Sequence, residues 1–277
     1  MKKLLVTGAG GFIGGQLVLS LGADSSCEVF ELDDEYFAHL ENWKKTLQET
    51  LNSLAPDAVF HVGACSDTLE TRVNYMMIRN YEATKILMDW CNKNNIPMIY
   101  SSSAANYGTN GCFPSNLYGW SKYAAEDYIV SNGGIGLRYF NVYGPGEENK
   151  GKMASFIYQS FIKNRNEEEI FLFPKEPKRD FVHVADVVGA NVFAWKNFKQ
   201  LKKTYYEVGS GTATLFEELM YYMGFKYAYF DCDRIPEGYQ FYTRSDKNKW
   251  MDGWKPKFDV KVGVEQYKTH LYGRPPT

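Results

Sequence analysis

The alternation of short apolar runs with amphipathic segments constrains the fold of this chain more than any other feature of its sequence. The apolar runs are LLVT, CEVFEL, DAVFHV, IPMIYSSS, GIGLRYF and TYYEVG. Segments with helical periodicity separate several of them, for example ENWKKTLQETLNSL and SKYAAEDYIVSN. Strands that alternate with helices pair in parallel, and the helices cover both faces of the sheet. The pattern therefore predicts an α/β fold built on a doubly wound parallel sheet.

A glycine motif joins the first predicted strand to the first predicted helix. Gly8, Gly11 and Gly14 form GxxGxxG within TGAGGFIG. Small residues at such a turn let the backbone approach a pyrophosphate, and the free N–H groups and dipole of the helix N-terminus attract it. A tight turn without a ligand is the alternative interpretation. The position of the motif between a strand and a helix favours a dinucleotide site of the Rossmann type.

An acidic cluster follows the second predicted strand. Asp33 comes 19 residues after Gly14, which is the spacing of a carboxylate that accepts hydrogen bonds from the ribose hydroxyls of a dinucleotide. Asp34 and Glu35 follow, and no Lys or Arg occurs before Lys44. These carboxylates would repel a 2′-phosphate, so the sequence predicts NAD as the cofactor, with NADP as the alternative. A plain turn residue is the other interpretation of Asp33.

The pattern changes after about Gly144, where the chain becomes irregular and rich in aromatic residues. We predict a dinucleotide-binding domain of the Rossmann type that spans residues 1–147 and is joined by 180–212. A smaller mixed α/β substrate-binding lobe spans residues 148–179 and 213–277. The lobe is expected to lie across the carboxyl edge of the sheet, where folds of this kind bind ligands.

Composition and charge exclude several classes of function. The chain has 277 residues, a formal net charge of −2 and no basic block, so we expect no nucleic-acid partner. The apolar run near the first residue ends after three residues, and no stretch reaches the ~18 apolar residues of a membrane span. No CxxC pair or His/Cys cluster indicates a metal site or a disulfide framework. We therefore expect a soluble, cytoplasmic protein of a reducing compartment, without a metal.

A cluster of hydroxyl groups ends the fourth apolar run and precedes a tyrosine and a lysine. Tyr118 and Lys122 are four residues apart, so they share one helix face. A nearby ammonium lowers the pKa of a tyrosine from its usual ~10, and such a phenol can exchange a proton with a sugar hydroxyl while hydride leaves the same carbon. Lys122 can also hold the nicotinamide ribose, and Ser103 is placed to hydrogen-bond the reacting oxygen. An ordinary amphipathic helix after a polar loop is the alternative.

Seven segments carry a resemblance to a known family: TGAGGFIG, FHVGA, SSSAANYG, YGWSK, RYFNVYGP, RDFVHVADV and VGSG. They occur in the family's order over nearly the whole chain. The chain resembles the extended short-chain dehydrogenase/reductases, the family of nucleotide-sugar epimerases and dehydratases. The resemblance implies a Rossmann fold, a nucleotide-diphosphate sugar as substrate and a homo-oligomer, dimeric or larger.

A finer resemblance concerns the chemistry. The family's 4,6-dehydratases carry an Asp-Glu pair after the strand-end hydroxyl, whereas Ala104 and Ala105 follow Ser103 here, which argues against a dehydratase. GACSDTLE, YMMIRNY, NVYGPGEENKGKMAS and YQFYTRSD are similar to the ADP-L-glycero-D-manno-heptose 6-epimerases of lipopolysaccharide synthesis. That resemblance assigns Lys150 as the acid/base on the sugar face opposite to Tyr118. A solvated loop lysine is the alternative.

The resemblance assigns further residues. The dinucleotide is expected to contact Phe12, Ile13, Gly63, Ala64, Cys65 and Ser66, with Asn80 bracing the site. The sugar or its diphosphate is expected to contact Ser103, Asn141, Arg179 and Tyr239. The alternatives are a helix-face amide for Asn80, a surface salt bridge for Arg179 and a place in the lobe core for Tyr239. His61 and His183 lie in apolar runs, and we predict that they are core histidines rather than catalytic groups.

The sequence leaves three classes of function open. The first is a redox-neutral nucleotide-sugar epimerase that keeps its cofactor tightly bound. The second is a nucleotide-sugar reductase or dehydrogenase in which Lys150 has no role. The third is a non-catalytic dinucleotide-binding scaffold, against which the Ser103, Tyr118 and Lys122 set argues, because a scaffold does not need a tyrosine–lysine pair.

Overall fold

The computed structural model describes residues 1–37, 41–63, 65–109, 111–235 and 239–273. The strands are β1 Lys2–Thr7, β2 Cys27–Leu32, β3 Ala58–His61, β4 Met98–Ser103, β5 Ile135–Tyr139, β6 Asn141–Tyr143, β7 Phe171–Leu172, β8 Lys178–His183, β9 Tyr205–Val208, β10 Ala213–Leu215 and β11 Ala228–Tyr229. The helices are α1 Phe12–Gly22, α2 Trp43–Leu54, α3 Val73–Met77, α4 Ala83–Asn94, α5 Leu117–Ser131, α6 Phe156–Arg165, α7 Val184–Lys196, α8 Phe216–Met223 and α9 Val260–Tyr272. A π-helical turn, Ile78–Glu82, joins α3 to α4.

The central sheet has the strand order β2-β1-β3-β4-β5-β9. Every pairing in it is parallel, and the register places Thr7 beside His61 and Ser103 beside Tyr139. The chain moves to opposite sides of β1 when it forms β2 and β3. This reversal opens a crevice at the carboxyl ends of β1 and β3, where ligands bind in sheets of this type.

Helices cover both faces of the central sheet. On one face α1 and α7 bury Leu17 and Val187 against Leu4 and Val6. On the other face α2, α4 and α5 pack around Leu5 and Tyr100. Successive β1 side chains thus enter opposite cores, as the pleat of a strand requires. The predicted α/β fold with a doubly wound parallel sheet is confirmed.

A second region packs around smaller sheets. Strands β10, β8 and β6 form a mixed sheet, in which β10 is antiparallel and β6 parallel to β8, and β7 pairs with β11. Its core contains residues of α6, α8 and α9, among them Phe161, Met220 and Tyr267. The predicted division of the chain at residues 147, 179 and 212 stays a prediction.

The described residues contain neither a membrane-spanning helix nor a metal-binding cluster. None of the helices within the described ranges has the length and apolar character to cross a membrane. Across the same residues, the structure contains no group of three or more His, Cys, Asp or Glu side chains that could hold a metal ion.

Candidate active site

The glycine motif forms a turn so tight that side chains would not fit. Gly8 has a φ of +66°, and a Cβ there would lie 2.4 Å from the Cα of Gly63. A Cβ on Gly14 would lie 1.9 Å from the carbonyl oxygen of Gly8. Helix α1 begins directly after Gly11, which offers no side-chain cap to the first N–H groups. These free donors at a helix N-terminus fit the pyrophosphate of a dinucleotide.

The Asp33 carboxylate is held beside this turn. Both of its oxygens accept the backbone N–H of Gly10, at 3.1 and 3.0 Å. Asp33 follows β2 directly, so the carboxylate stands at the tip of the strand next to β1. This is the position from which a carboxylate reaches a ribose in Rossmann folds. Asp33 and the turn therefore fit the group that the sequence predicts.

Asn80 connects the loop after β3 to helix α5. Its side-chain oxygen accepts the N–H of Cys65 at 2.7 Å, and its amide group donates to the Cys65 carbonyl at 3.0 Å. The same amide donates to Ser121 Oγ at 2.9 Å, next to Lys122. Asn80 is fully buried, which disfavours the alternative of an exposed helix-face amide. Ala64, also expected at this site, lies outside the described residues.

Ser103, Tyr118 and Lys122 meet where β4 ends and α5 begins. Asn116 caps α5 by accepting the N–H of Gly119 at 2.8 Å, which places Tyr118 in the first turn. The Ser103 hydroxyl accepts the N–H of Ala105 at 3.1 Å and favours the ionised form of the Tyr118 phenol. Lys122 is only 3% exposed, and its Nζ lies 4.3 Å from the ring centroid of Tyr100 in β4. The three predicted groups thus lie on the end of β4 and on the face of α5 that packs against β4.

The titration of Tyr118 differs from the expectation. Burial raises the pKa of Tyr118, and the Ser103 hydroxyl only partly offsets it. Burial also lowers the pKa of Lys122 to about 7, against an opposing effect of Glu126. The predicted lowering of the tyrosine pKa by the ammonium was wrong for the protein alone. The physical reason is that desolvation disfavours both charged forms, and the phenolate and the ammonium are both removed from water.

The sequence reasoning did not identify a buried ion pair behind Lys122. Glu126, one turn further along α5, forms a 2.5 Å ion pair with Arg138 of β5, and both side chains are at least nine-tenths buried. The guanidinium Cζ of Arg138 also lies 4.6 Å from the ring centroid of Tyr107. The spacing of Lys122 and Glu126 was visible in the sequence. The partner on β5 was not, because it depends on strand pairing.

Lys150 lies in a short 3₁₀ segment, Glu148–Met153. Its side chain is half-buried, and Nζ lies 5.4 Å from the ring centroid of Phe12, at the start of α1. Burial lowers the pKa of Lys150, while Glu147 opposes the shift. The Lys150 side chain is therefore turned towards the glycine turn rather than fully solvated.

Glu147, which sequence reasoning also missed, fixes the start of this segment. Its carboxylate is buried and accepts the N–H of Gly144 at 3.1 Å and the hydroxyl of Ser155 at 2.8 Å. These bonds join the end of β6 to the beginning of α6. A glutamate in a run of polar loop residues carries no signal for such a role.

The residues predicted to bind the sugar or diphosphate form a second group. Asn141 donates to the carbonyl of Asp180 at 3.0 Å, so part of its amide holds β6 to β8. The Cζ of Arg179 lies 5.2 Å from the ring centroid of Tyr239. Arg179 Nη1 is buried and has no hydrogen-bond partner among the described residues. A buried guanidinium N–H without a partner suits an anionic ligand.

A cavity of about 230 Å³ is lined by sequence neighbours of these residues rather than by the residues themselves. Ala104, directly after Ser103, lines it together with Phe140 and Thr243. Tyr239 packs on Phe173, with ring centroids 4.8 Å apart, which agrees in part with the alternative place in an aromatic core. Residues that directly follow Ser103 and Tyr239, namely Ala104 and Gln240, therefore line the cavity.

The two histidines have structural roles. His61 is buried, and its ring nitrogens lie 2.7 Å from Thr7 Oγ1 and 2.8 Å from Thr84 Oγ1. His183 accepts the N–H of Ala185 at 3.2 Å, and its ring stacks on Phe258. Burial lowers the pKa of His183 to about 4. The prediction that both are core histidines is confirmed.

A doubly wound sheet with a glycine turn, a carboxylate at the tip of β2 and a Ser–Tyr–Lys set is typical of a dinucleotide-dependent class of enzyme. The model of the NAD dependent epimerase/dehydratase family matches residues 4–209. The chain belongs to this family. The family resemblance and NAD as the cofactor of the family are thereby confirmed.

Particular relatives extend the match over nearly the whole chain. The ADP-L-glycero-D-manno-heptose-6-epimerase of Brachyspira hyodysenteriae is 34% identical, over 95% of this chain and 96% of the relative. The crystal structure of the Helicobacter pylori ADP-L-glycero-D-manno-heptose-6-epimerase aligns with a TM-score of 0.83 and 28% identity, over 99% and 97% of the two chains. The UDP-glucose 4-epimerase of Thermotoga maritima shares the fold, with a TM-score of 0.83 at 24% identity over 98% and 99% of the chains.

Proposed function

We propose that this protein is an NAD-dependent nucleotide-sugar epimerase, most similar in activity to the ADP-heptose 6-epimerases. One observation carries the proposal. Lys150 Nζ lies 5.4 Å from the Phe12 ring beside the glycine turn, and Tyr118 lies in the first turn of α5, so separate elements carry the two groups that we propose as proton-transferring groups. An epimerase needs an acid/base on each face of the sugar carbon. A reductase needs only one.

The chain's own residues are proposed to bind and orient both ligands. The turn from Gly8 to Gly14 and the N-terminus of α1 would hold the pyrophosphate of NAD, and Asp33 its ribose. Lys122 would hold the nicotinamide ribose and Arg179 the diphosphate of the sugar nucleotide. When bound, NAD supplies an acceptor that takes a hydride from the sugar carbon and gives it back.

The proton transfers are assigned to two side chains. On one face Tyr118 Oη would take the proton of the reacting hydroxyl, which requires the phenolate form that burial disfavours in the protein alone, while Ser103 would hydrogen-bond the same oxygen. After the carbonyl form of the sugar has turned over, Lys150 Nζ returns a proton on the other face. The pKa of Lys150 is lowered by burial, which brings it closer to the range where a general acid/base works at neutral pH. Ala104 and Ala105 offer no further acid for a dehydration.

Other features of the protein follow from the same proposal. Asp33 and Asp34 favour NAD over NADP because a 2′-phosphate would face their charges. We also propose a cytoplasmic homo-oligomer with the two-domain division given above, in which residues of 148–179 and 213–277 bind the sugar nucleotide.

The decisive experiment compares Lys150→Met with Lys152→Met, a lysine in the same segment that is exposed to solvent. We expect Lys150→Met to lose epimer interconversion by roughly 10²–10⁴-fold, which is the usual contribution of one general acid/base. It should still catalyse the half-reaction that depends on Tyr118, seen as absorbance at 340 nm when one epimer of an ADP-heptose is added. Lys152→Met should retain the parent rate.

The alternatives predict different results. If Lys150→Met interconverts epimers at the parent rate, Lys150 is not the second acid/base. A parent protein that consumes NADH or NAD stoichiometrically with a nucleotide sugar would be a reductase or dehydrogenase. Chromatographic separation of the epimers, with the NADH absorbance followed in parallel, distinguishes these cases.

A further inference from the structure

The acidic cluster after β2 faces a cation that comes from a distant part of the chain. Arg79, in the π-helical turn before α4, has its Nε 3.9 Å from Asp34 Oδ2. No Lys or Arg follows Asp33 in sequence before Lys44, so the local sequence gives a cluster of acidic residues without a fixed cation. The fold adds a positive charge 45 positions further along the chain.

Aromatic rings, rather than Asp34, hold the guanidinium in place. Its Cζ lies 3.8 Å from the ring centroid of Tyr75 and 4.7 Å from that of Phe37. The Arg79 side chain is 18% exposed, whereas that of Asp34 is 76% exposed. The separation from Asp34 is too long for a hydrogen bond, and Arg79 Nε is buried without a partner in the described part of the chain. Removal of the Asp34 charge should therefore leave Arg79 where it is.

The position of Arg79 links it to the adenosine end of the crevice. Asp34 directly follows Asp33, whose carboxylate is bonded to Gly10 of the glycine turn. The next residue after Arg79 is Asn80, which is bonded to Cys65 in the loop after β3. Arg79 thus lies between the two loops that border the expected ribose. The neighbouring Arg72 is balanced by Glu70 at 2.6 Å, so its charge adds little.

We propose that Arg79 is a specificity-determining residue at the adenosine end of the NAD site, a fixed cation whose charge is masked by Asp34. The Asp34–Arg79 pair, together with Asp33, then sets how strongly the protein rejects a 2′-phosphate. This inference rests on the cofactor site proposed above. It adds that the preference for NAD over NADP depends on the Asp34–Arg79 charge pair, and not on the acidic cluster alone.

The test is a double-mutant cycle read out by calorimetric titration with NAD and with NADP, which requires no catalytic activity. The measured quantity is the ratio of the NADP and NAD dissociation constants. Asp34→Asn should lower this ratio by roughly tenfold, because two opposite unit charges a few ångströms apart near a surface interact by an amount of that order. In an Arg79→Met background the same Asp34→Asn change should lower the ratio by a smaller factor, because only the direct repulsion between Asp34 and the 2′-phosphate is then removed.

Two substitutions of Arg79 separate the effect of its charge from the effect of its packing. Arg79→Lys keeps the charge and should keep the ratio close to that of the parent protein. Arg79→Met keeps an unbranched side chain between the two rings and should raise the ratio, since the compensating cation is lost. If Arg79→Met does not fold, the gain in NADP affinity from Asp34→Asn is measured at low and at high salt, because screening at high salt should weaken the attraction between Arg79 and the 2′-phosphate and reduce the gain.

Specific outcomes would overturn the inference. Arg79→Met could weaken NAD and NADP by the same factor, or the Asp34→Asn effect could be equal with and without Arg79. Either result would mean that Arg79 only packs between the aromatic rings and does not set cofactor preference. A gain in NADP affinity from Asp34→Asn that does not depend on salt would lead to the same conclusion. A parent protein that binds neither dinucleotide would instead contradict the proposed function itself.

Discussion

Lys122 is a charged side chain in a nearly dry environment. Its Nζ lies over the ring of Tyr100, and the carboxylate of Glu126 is already engaged by Arg138. With a pKa lowered to about 7, the amine is protonated in only part of the molecules at neutral pH. The ring face and the more distant carboxylate both favour the ammonium. Tyr100 and Glu126 thus favour the protonated form of Lys122, whereas burial disfavours it.

The role of Tyr118 is testable by removal of one oxygen. Tyr118→Phe should reduce turnover by roughly 10²–10⁴-fold, because only the group that transfers the proton is lost. The affinity for NAD should stay close to the parent value, since the ring remains in the first turn of α5. Tyr123→Phe, on the same helix, is the matched control and should leave turnover unchanged. Steady-state rates with calorimetric titration of NAD measure both quantities, and a normal rate for Tyr118→Phe would remove this residue from the mechanism.

His61 should make the protein less stable in acid. Burial lowers the pKa of His61 to about 3, whereas an exposed histidine in the unfolded chain titrates near ~6.5. Between these pH values the unfolded chain takes up a proton that the folded protein refuses. The free energy of unfolding should therefore fall by about 1.4 kcal/mol for each pH unit below ~6.5 from this site alone.

The comparison with His61→Gln isolates this contribution from that of other titrating groups. The variant has no proton to bind at this position, so its free energy of unfolding should decrease less steeply with falling pH. Urea unfolding at pH 6.5, 5.5 and 4.5 gives both slopes. Equal slopes would mean that His61 titrates alike in the folded and unfolded states.

At the scale of elements, the geometry of α5 explains why Tyr118, Lys122 and Glu126 face β4. Tyr118, Lys122 and Glu126 follow one another at intervals of four residues and therefore lie on one face of the helix. That face packs against β4, which supplies Ser103 and Tyr100. Ser121, one position earlier than Lys122, meets Asn80. A single helix thus places the hydroxyl, the ammonium and the buried carboxylate.

The turn between β1 and α1 should tolerate no added carbon. Gly14→Ala would place a Cβ 1.9 Å from the carbonyl oxygen of Gly8, so the backbone must shift. We expect a loss of about 3 kcal/mol or more in the free energy of unfolding and a marked loss of NAD affinity. Gly22→Ala, at the end of the same helix, meets nothing within 4 Å and should change stability by no more than about 1 kcal/mol. Thermal unfolding and NAD titration of both variants check the contrast, and equal effects would refute the close approach.

At the scale of the whole molecule, Asp180 of β8 joins three distant segments. Its carboxylate accepts the N–H of Ser210 at 2.6 Å, that of Gly211 at 3.0 Å and that of Ser245 at 2.8 Å. Both serine hydroxyls also donate to it. The carboxylate therefore connects β8 with the loop between β9 and β10 and with the segment before α9.

Asp180→Asn should destabilise the whole protein. An amide nitrogen cannot accept a hydrogen bond, so at least one buried N–H loses its partner, at a cost of about 1–3 kcal/mol for each group. We expect a decrease of about 2–4 kcal/mol in the free energy of unfolding. Asp259→Asn is the control, because Asn also serves as an N-cap and that side chain is exposed. Chemical unfolding decides the matter, and equal stability of the two variants would contradict the proposed connection.

The sequence by itself determined the order of the elements, the glycine turn and the meeting of Tyr118 with Lys122. These features depend on residues close together in the chain. A hydrophobic period of two residues in a strand, or of 3.6 residues in a helix, indicates which face is buried. Residues at i and i+4 of a helix are neighbours on its surface, and this does not depend on the rest of the fold. The predicted strands and helices were therefore found near their expected positions.

Only the tertiary structure decided the charges and contacts between distant segments. Arg79 faces Asp34, Arg138 pairs with Glu126, and Glu147 holds the segment of Lys150, each through packing that local patterns do not encode. The pKa of Tyr118 moved opposite to the expectation for the same reason. A spacing in the sequence identifies a neighbouring charge, but the loss of water around a group depends on everything that packs against it.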